Sequence, residues 1–355
     1  MLGRGAATRP ARLEGHAVHW AEGRNYPVIR AEAGAVAEGR LLEGIGAAEA
    51  ARLDYYEAGF GYAAREIAVA AADGMHSARV YVPADPEPAG APWDLAAWQR
   101  EWGDLVTEAA REVMALRGTR PPATVFARYP QILVRAAARL RAAPGGPLGL
   151  RRQAQPADVA VAAWRQPYAH FFALEESDLR FRRFDGTMSE VVNRAVFVSG
   201  DAATVLPYDP ARDRVLVVEQ FRAGPHGRGD SQPWLLEPIA GRVDPGESPE
   251  AAARREAREE AGIELGEVLP VAGFYPSPGA KSEFVYAFLG LADLPDGWHG
   301  NGASGMAEEH EDIRAHVIGF ERLMALVESG EANNGPLLIS ALFLARRRAA
   351  LRRPA

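Results

Sequence analysis

Glu247, Glu250, Glu256, Glu259 and Glu260 stand among Arg254, Arg255 and Arg258 in one stretch, Gly241 to Ile263, reading GRVDPGESPEAAARREAREEAGI. Ser248 is a good helix N-cap and Pro249 suits the first helical position, so a helix should start there. Alanines and long charged side chains carry it to about Ala261, and Gly262 is the stop. On that helix Glu256 and Glu260, four apart, share a face, and Glu259 flanks it. Four carboxylates on one helix repel unless positive charge sits among them. Arginines can supply part of it. A hard divalent cation such as Mg²⁺ can supply more, because it takes oxygen ligands from a few carboxylates, water and substrate phosphates. The plain alternative is a solvated helix laced by Arg255–Glu259 and Arg254–Glu250 pairs. It leaves Arg258 with no acid three or four positions away.

Such a helix needs a scaffold. The chain has 355 residues, enough for two domains, and 48% hydrophobic residues, as in ordinary globular proteins. Its formal charge of −7 argues against nucleic acid or an anionic membrane as an obligate partner. With no cysteine, disulfides, thiolate catalysis and cysteine–zinc sites are excluded. No apolar run long enough to span a bilayer and no signal peptide are seen, so a cytoplasmic protein is expected. Residues 1–83 read as short strands (His16–Trp20, Tyr26–Ile29, Ala35–Leu42, Ile67–Ala71, Ala78–Val82) interrupted by a helix at Ala47–Glu57. Asp94–Leu116 reads as one helix with Trp98, Trp102 and Leu105 on one face, and Ala123–Ala142 as another. Pro144–Gln155 is the best linker. Beyond it, strands are expected at Val159–Leu174, Leu179–Phe184, Arg194–Ser199, Ala203–Tyr208 and Val215–Phe221. Trp234–Ala240 leads into the acidic helix. Ala272–Phe274, Phe284–Leu289 and Ile313–Gly319 follow as strands, then helices at Phe320–Ser329 and Pro336–Leu351. Strands around a single acidic helix suggest an α/β sandwich and not a Rossmann sheet.

The pattern is specific. Gly241, five residues, Glu247, seven residues, then Arg255-Glu256-Ala257-Arg258-Glu259-Glu260-Ala261-Gly262-Ile263 resembles the Nudix box position by position, with Ala257 where the family usually has a larger aliphatic. The resemblance implies an α/β (α+β) fold, an α/β/α sandwich with a mixed sheet. It also implies Mg²⁺-dependent (or Mn²⁺-dependent) hydrolysis of a nucleoside diphosphate linked to another moiety. Glu256, Glu259 and Glu260 would be metal ligands, Arg255 would orient a glutamate, and Glu247 would brace the loop.

The flanks resemble bacterial ADP-ribose pyrophosphatases: Phe184-Asp185-Gly186-Thr187-Met188-Ser189, Leu206-Pro207-Tyr208-Asp209-Pro210, Glu219-Gln220-Phe221-Arg222 and Pro233-Trp234-Leu235-Leu236-Glu237, with Pro278 fifteen residues past Ile263. By this resemblance Arg222 would bind phosphate, as a guanidinium suits two diphosphate oxygens. Arg194 would contact the adenine side, where the family's acidic neighbour is Ala195. Ala240 would give its carbonyl to the metal, and Ser282-Glu283 would lie near the terminal ribose. Glu309 would be the base, and Glu311 a metal ligand or alternative base. Both lie in an acidic loop, Met306–Ile313, behind a glycine-rich approach that could close over substrate. The expected products from ADP-ribose are AMP and ribose 5-phosphate. The expected assembly is a homodimer through the Nudix domain, by strands like those in Val159–Phe197. A diphosphatase for another nucleotide sugar such as GDP-mannose, or a sensor that holds a nucleotide without turnover, are the competing readings. The intact box counts against the sensor.

Tyr26-Pro27-Val28-Ile29, Ala37–Leu42, Leu53-Asp54-Tyr55-Tyr56-Glu57 and Val80-Tyr81-Val82-Pro83 resemble the gamma-glutamylcyclotransferase-like fold, which implies a small β-barrel with C-terminal helices. Glu57 would be its proton-shuttling acid. The chain opens at Met1-Leu2-Gly3-Arg4, past the family's Tyr-Gly-Thr-Leu strand, so cyclotransferase activity is not expected of it as it begins. The resulting division is residues 1–143 for this domain, 144–157 for the linker and 158–355 for the Nudix domain. Fusions of this kind resemble bacterial tellurite-resistance factors.

Overall fold

A computed structural model describes residues 5–295 and 312–352. It divides into two compact units, Met1–Pro147 and Leu148–Ala355.

The first unit is built on β1 (Ala7–Ala21), β2 (Pro27–Glu43), α1 (Ala47–Gly59), β3 (Tyr62–Ala71), β4 (Gly74–Pro83) and β5 (Ala89–Pro92). The sheet order is β2-β1-β3-β4, with β5 on β1. The short strands expected at Tyr26–Ile29 and Ala35–Leu42 are one long strand. The β1–β2 ladder slips between Glu14 and His16, where Gly15 and Gly34 take positive φ of 68° and 80° and absorb the bulge. Among the described residues β2 and β4 end the hydrogen-bonded path, and the pairing by itself does not close the expected barrel.

Both expected helices of this unit are broken. Asp94–Leu116 divides into α2 (Leu95–Glu101) and α3 (Gly103–Ala115) at Trp102, whose φ of −123° is not helical and which precedes a glycine. Ala123–Ala142 divides into α4 (Pro122–Phe126) and α5 (Tyr129–Ala142), because Pro130 is tolerated only in a first turn. α3 and α5 are clamped by a buried pair, Arg135 to Glu112 at 2.6 Å.

The second unit opens with an antiparallel sheet of β6 (Val159–Ala169), β7 (Ala173–Phe181) and β8 (Val192–Val198). A hairpin turn at 170–172 interrupts what periodicity alone reads as one strand to Leu174. The main sheet takes β9 (Ala202–Asp209), β10 (Arg214–Phe221), β11 (Trp234–Glu237), β12 (Ile239–Arg242), β13 (Val268–Phe274), β14 (Val285–Leu291) and β15 (Ile313–Gly319), with a short α6 (Ala223–Arg228) after β10. Its order is β11-β10-β9-β14-β13, with β12 on β9 and β15 on β10. The β9–β14 pair is parallel, so the sheet is mixed.

Side chains alternate between its faces. Ala203, Val205, Leu216, Val218 and Ile239 meet the alanine face of α7 (Pro249–Ala261). Leu206, Tyr208, Val215, Val217 and Leu289 meet α8 (Phe320–Ser329) and α9 (Gly335–Leu351). Each fully buried aliphatic contributes ~1.5–3 kcal/mol. The result is the expected α/β/α sandwich. Ala257 is 0% exposed in it, and the small residues Ala252, Ala253, Ala257 and Ala261 let α7 lie close on the sheet. Among the described residues no helix is long and apolar enough to cross a membrane.

Candidate active site

The Ser248 hydroxyl accepts from the Ala251 N–H at 3.1 Å, and Gly262 ends α7 in the left-handed region at φ 64°. These caps fix where the helix starts and stops, and the packing of its alanine face against the sheet fixes its rotation and therefore the directions of its glutamates. Arg255 is the hub. Its Nε and Nη2 donate to the two oxygens of Glu247 at 3.2 Å each. Nη1 donates to Glu256 at 2.7 Å and to Glu259 at 2.9 Å, and Nη2 also reaches the Arg242 carbonyl at 3.1 Å. Burial alone would lower the Arg255 pKa. Hydrogen bonds and attraction from Glu247, Glu256 and Glu259 outweigh it and hold the guanidinium above the usual arginine range. Arg254 pairs with Glu250 at 2.9 Å, and Arg258 reaches Glu264 only at 3.8 Å.

Glu256 is seated against Gly241. A Cβ built on Gly241 would lie 1.7 Å from Glu256 Oε1 and 2.0 Å from its Cδ, so only glycine admits the carboxylate there. Ala240, beside it on β12, pairs with Thr204 of β9. Glu260 is 2% exposed, a depth at which a carboxylate needs hydrogen bonds or a counter-charge. Among the described residues no three acidic or histidine side chains are already gathered as a metal cage. The donors nonetheless suit a hard cation that keeps several waters: carboxylates four apart on one helix face and a glycine that leaves room for one of them. Glu309 and Glu311 lie outside the described residues.

Arg222 follows β10, and its Nε and Nη2 both meet Glu237 Oε2, at 2.8 and 2.6 Å. Arg194 is exposed on β8 and donates to the Asn193 carbonyl at 2.9 Å. β8 is stitched to the loop carrying Pro278: Phe197 N donates to Ala280 O at 2.8 Å, and Ser282 N to Phe197 O at 3.1 Å. Pro278 is exposed, and Glu283 is paired with Lys281 at 2.7 Å. The loop feeds β14, and pairing aligns Val285, Ala202 and Arg242 across three strands. The backbone thus brings the Pro278–Glu283 loop and the end of β12 to one side of the sheet. Two contacts were not foreseen. Phe171, at the tip of the β6–β7 hairpin, lies 3.9 Å under the Arg242 guanidinium, and Glu237 holds Arg222. A cavity of about 630 Å³, lined by Val217, Glu219, Trp234, His316 and Arg322 among others, opens instead on the α8 side of the sheet.

In the first unit, burial pushes the Glu57 carboxyl up to about 7. Its ordinary value is 4.5, so the folded state retains a proton that the unfolded chain releases between these values. Its contribution to stability is full below about 4.5 and is lost as pH rises through about 7. Glu57→Gln should therefore melt higher than the parent at pH 8 and no higher at pH 4.5. A melting difference that does not change between these pH values would refute the burial argument.

Residues 198–338 match the family model described as NUDIX domain, and residues 1–100 match that of Gamma-glutamyl cyclotransferase, AIG2-like. The chain is 41% identical to the ADP-ribose pyrophosphatase of Escherichia coli K12 over 187 residues, 53% of this chain and 88% of that one. It is 36% identical to the ADP-ribose pyrophosphatase of Haemophilus influenzae, over 53% of this chain and 86% of that one. It is 33% identical to the GDP-mannose pyrophosphatase of Enterobacter sp. 638, over 49% and 88%. Likeness at that level across nearly the whole of a relative decides the family: this chain is a Nudix hydrolase, acting on diphosphates, that carries an AIG2-like gamma-glutamyl cyclotransferase domain before its Nudix domain.

Proposed function

We propose that the second unit hydrolyses the diphosphate bond of ADP-ribose, giving AMP and ribose 5-phosphate, with Mg²⁺ as the metal and Mn²⁺ as a substitute. The observation that carries the reading is the Arg255 clamp on Glu247, Glu256 and Glu259, with Glu256 seated on Gly241. Glu256, Glu260 and the Ala240 carbonyl would hold the cation, with Glu311 as a further ligand. When bound, it supplies charge neutralisation at the diphosphate and acidifies water. Arg255 keeps Glu256 and Glu259 turned toward one face of α7. Arg222 grips the diphosphate. Glu309, or Glu311, takes the proton from the attacking water. Arg194 contacts the adenine side, and Pro278 and Glu283 border the terminal ribose.

The exposed apolar side chains Val159, Val161, Phe181 and Val191 on and beside the three-stranded sheet support a homodimer formed through that sheet. A cytoplasmic location accords with this chemistry. GDP-mannose is the second reading, supported by the 33% identity to a GDP-mannose pyrophosphatase. The test is nucleotide release from ADP-ribose and from GDP-mannose with and without Mg²⁺. AMP release at a kcat/KM at least tenfold above that for GMP release is expected. The opposite order would transfer the activity to GDP-mannose. Binding without release of either nucleotide would favour a sensor.

A further inference from the structure

The side chain that holds Arg222 is itself held from several sides. Glu237 closes β11 and is 5% exposed. Its Oε2 accepts from Arg222 Nε at 2.8 Å and Nη2 at 2.6 Å, and from Gln220 Nε2 at 3.3 Å. Its Oε1 accepts from Asn334 Nδ2 at 2.9 Å. Asn334 is at the same time the N-cap of α9, its Oδ1 accepting from the Leu337 N–H at 3.0 Å. A carboxylate with donors on both oxygens has no freedom to rotate. Arg222 therefore meets a fixed partner, while 38% of its side chain faces solvent.

We infer that Glu237 is a positioning residue for anion recognition, orienting the Arg222 guanidinium toward the substrate diphosphate, and that Asn334 locks Glu237 in turn. This rests on the reading of Arg222 as the phosphate ligand. An arginine that must be ordered at the moment of binding loses side-chain entropy, whereas one already held by Glu237 does not. The same ion pair moderates the positive charge, so a released product anion is not retained. Glutamine cannot replace the carboxylate. It has one acceptor oxygen, and its NH₂ would face a donor on whichever side it turned.

The test uses the full chain and ADP as probe, since the diphosphate is the group at issue. Arg222→Ala and Glu237→Gln should each weaken ADP binding by about tenfold, as expected for loss of a charge-assisted contact. The double variant should be no weaker than Arg222→Ala alone, because both act through one contact. Asn334→Ser keeps a capping oxygen but removes the amide donor. It should weaken ADP by a smaller factor at an unchanged melting temperature. In turnover, Glu237→Gln should raise KM more than it lowers kcat. If Glu237→Gln weakens ADP by the same factor with and without Arg222, or leaves binding unchanged, Glu237 does not position Arg222. If Arg222→Ala alone leaves ADP binding unchanged, the phosphate role of Arg222 fails, and this inference with it.

Discussion

Glu260→Gln is expected to abolish turnover while leaving the fold intact. Glu260 is 2% exposed on the face of α7 that packs toward the sheet, among Ala257, Ala261 and their neighbours. Glutamine has nearly the same volume, so the packing that holds α7 is kept. What goes is one negative charge out of the few carboxylates available to a divalent cation. Metal stabilisation of a phosphoryl transition state amounts to several kcal/mol. Each ~1.4 kcal/mol is a factor of ten, so kcat should fall by about a thousandfold or more. Thermal melting without metal should match the parent, and added Mg²⁺ or Mn²⁺ should not restore the rate. Parental turnover in this variant would remove Glu260 from the metal site.

Gly241→Ala should separate activity from stability by a different route. The backbone of Gly241 is not in the left-handed region, so alanine meets no conformational penalty there. Its Cβ would instead strike Glu256 Oε1, Cδ and Cγ, at 1.7, 2.0 and 2.6 Å. Those atoms are the end of a flexible side chain, which can swing away at little expense to the fold. In doing so it leaves both its seat and the Arg255 Nη1 that fixes it at 2.7 Å. A displacement of about 1 Å at a reacting centre can reduce rate by about a hundredfold. That loss is expected in kcat/KM, with a melting temperature within a few degrees of the parent. Near-parental activity would mean that Glu256 does not work from the position it occupies against Gly241.

The box was legible in the sequence because it is covalently contiguous. Ser248, Pro249 and Gly262 each have a local reason for their places, and helical spacing then dictates where Glu256, Glu259 and Glu260 point. Hydrophobic alternation was legible too, and it laid out the main sheet. Elements failed where a local event overrode the pattern. Trp102 and Gly103 break a helix whose apolar face reads as continuous, and Pro130 restarts another. The turn at 170–172 hides inside an apolar run, since Phe171 and Phe172 carry no turn signal. The Glu237 network was illegible for another reason. Gln220, Arg222, Glu237 and Asn334 are common polar residues spread over 115 positions, and only the fold shows them meeting.

Pro238 stands between β11 and β12 and lacks the N–H that would carry one ladder through both. At this joint the chain leaves β10 and joins β9. Glu237, before the joint, anchors Arg222, and Gly241, four residues later, admits Glu256, so with the roles proposed for Arg222 and Glu256 one extended tether would tie the anion-gripping end to the cation-gripping end. At ~3.3 Å per residue the tether is about 13 Å long. On those roles it would act as a molecular ruler: a one-residue insertion or deletion within it would keep the same side chains yet mis-gauge the separation between them.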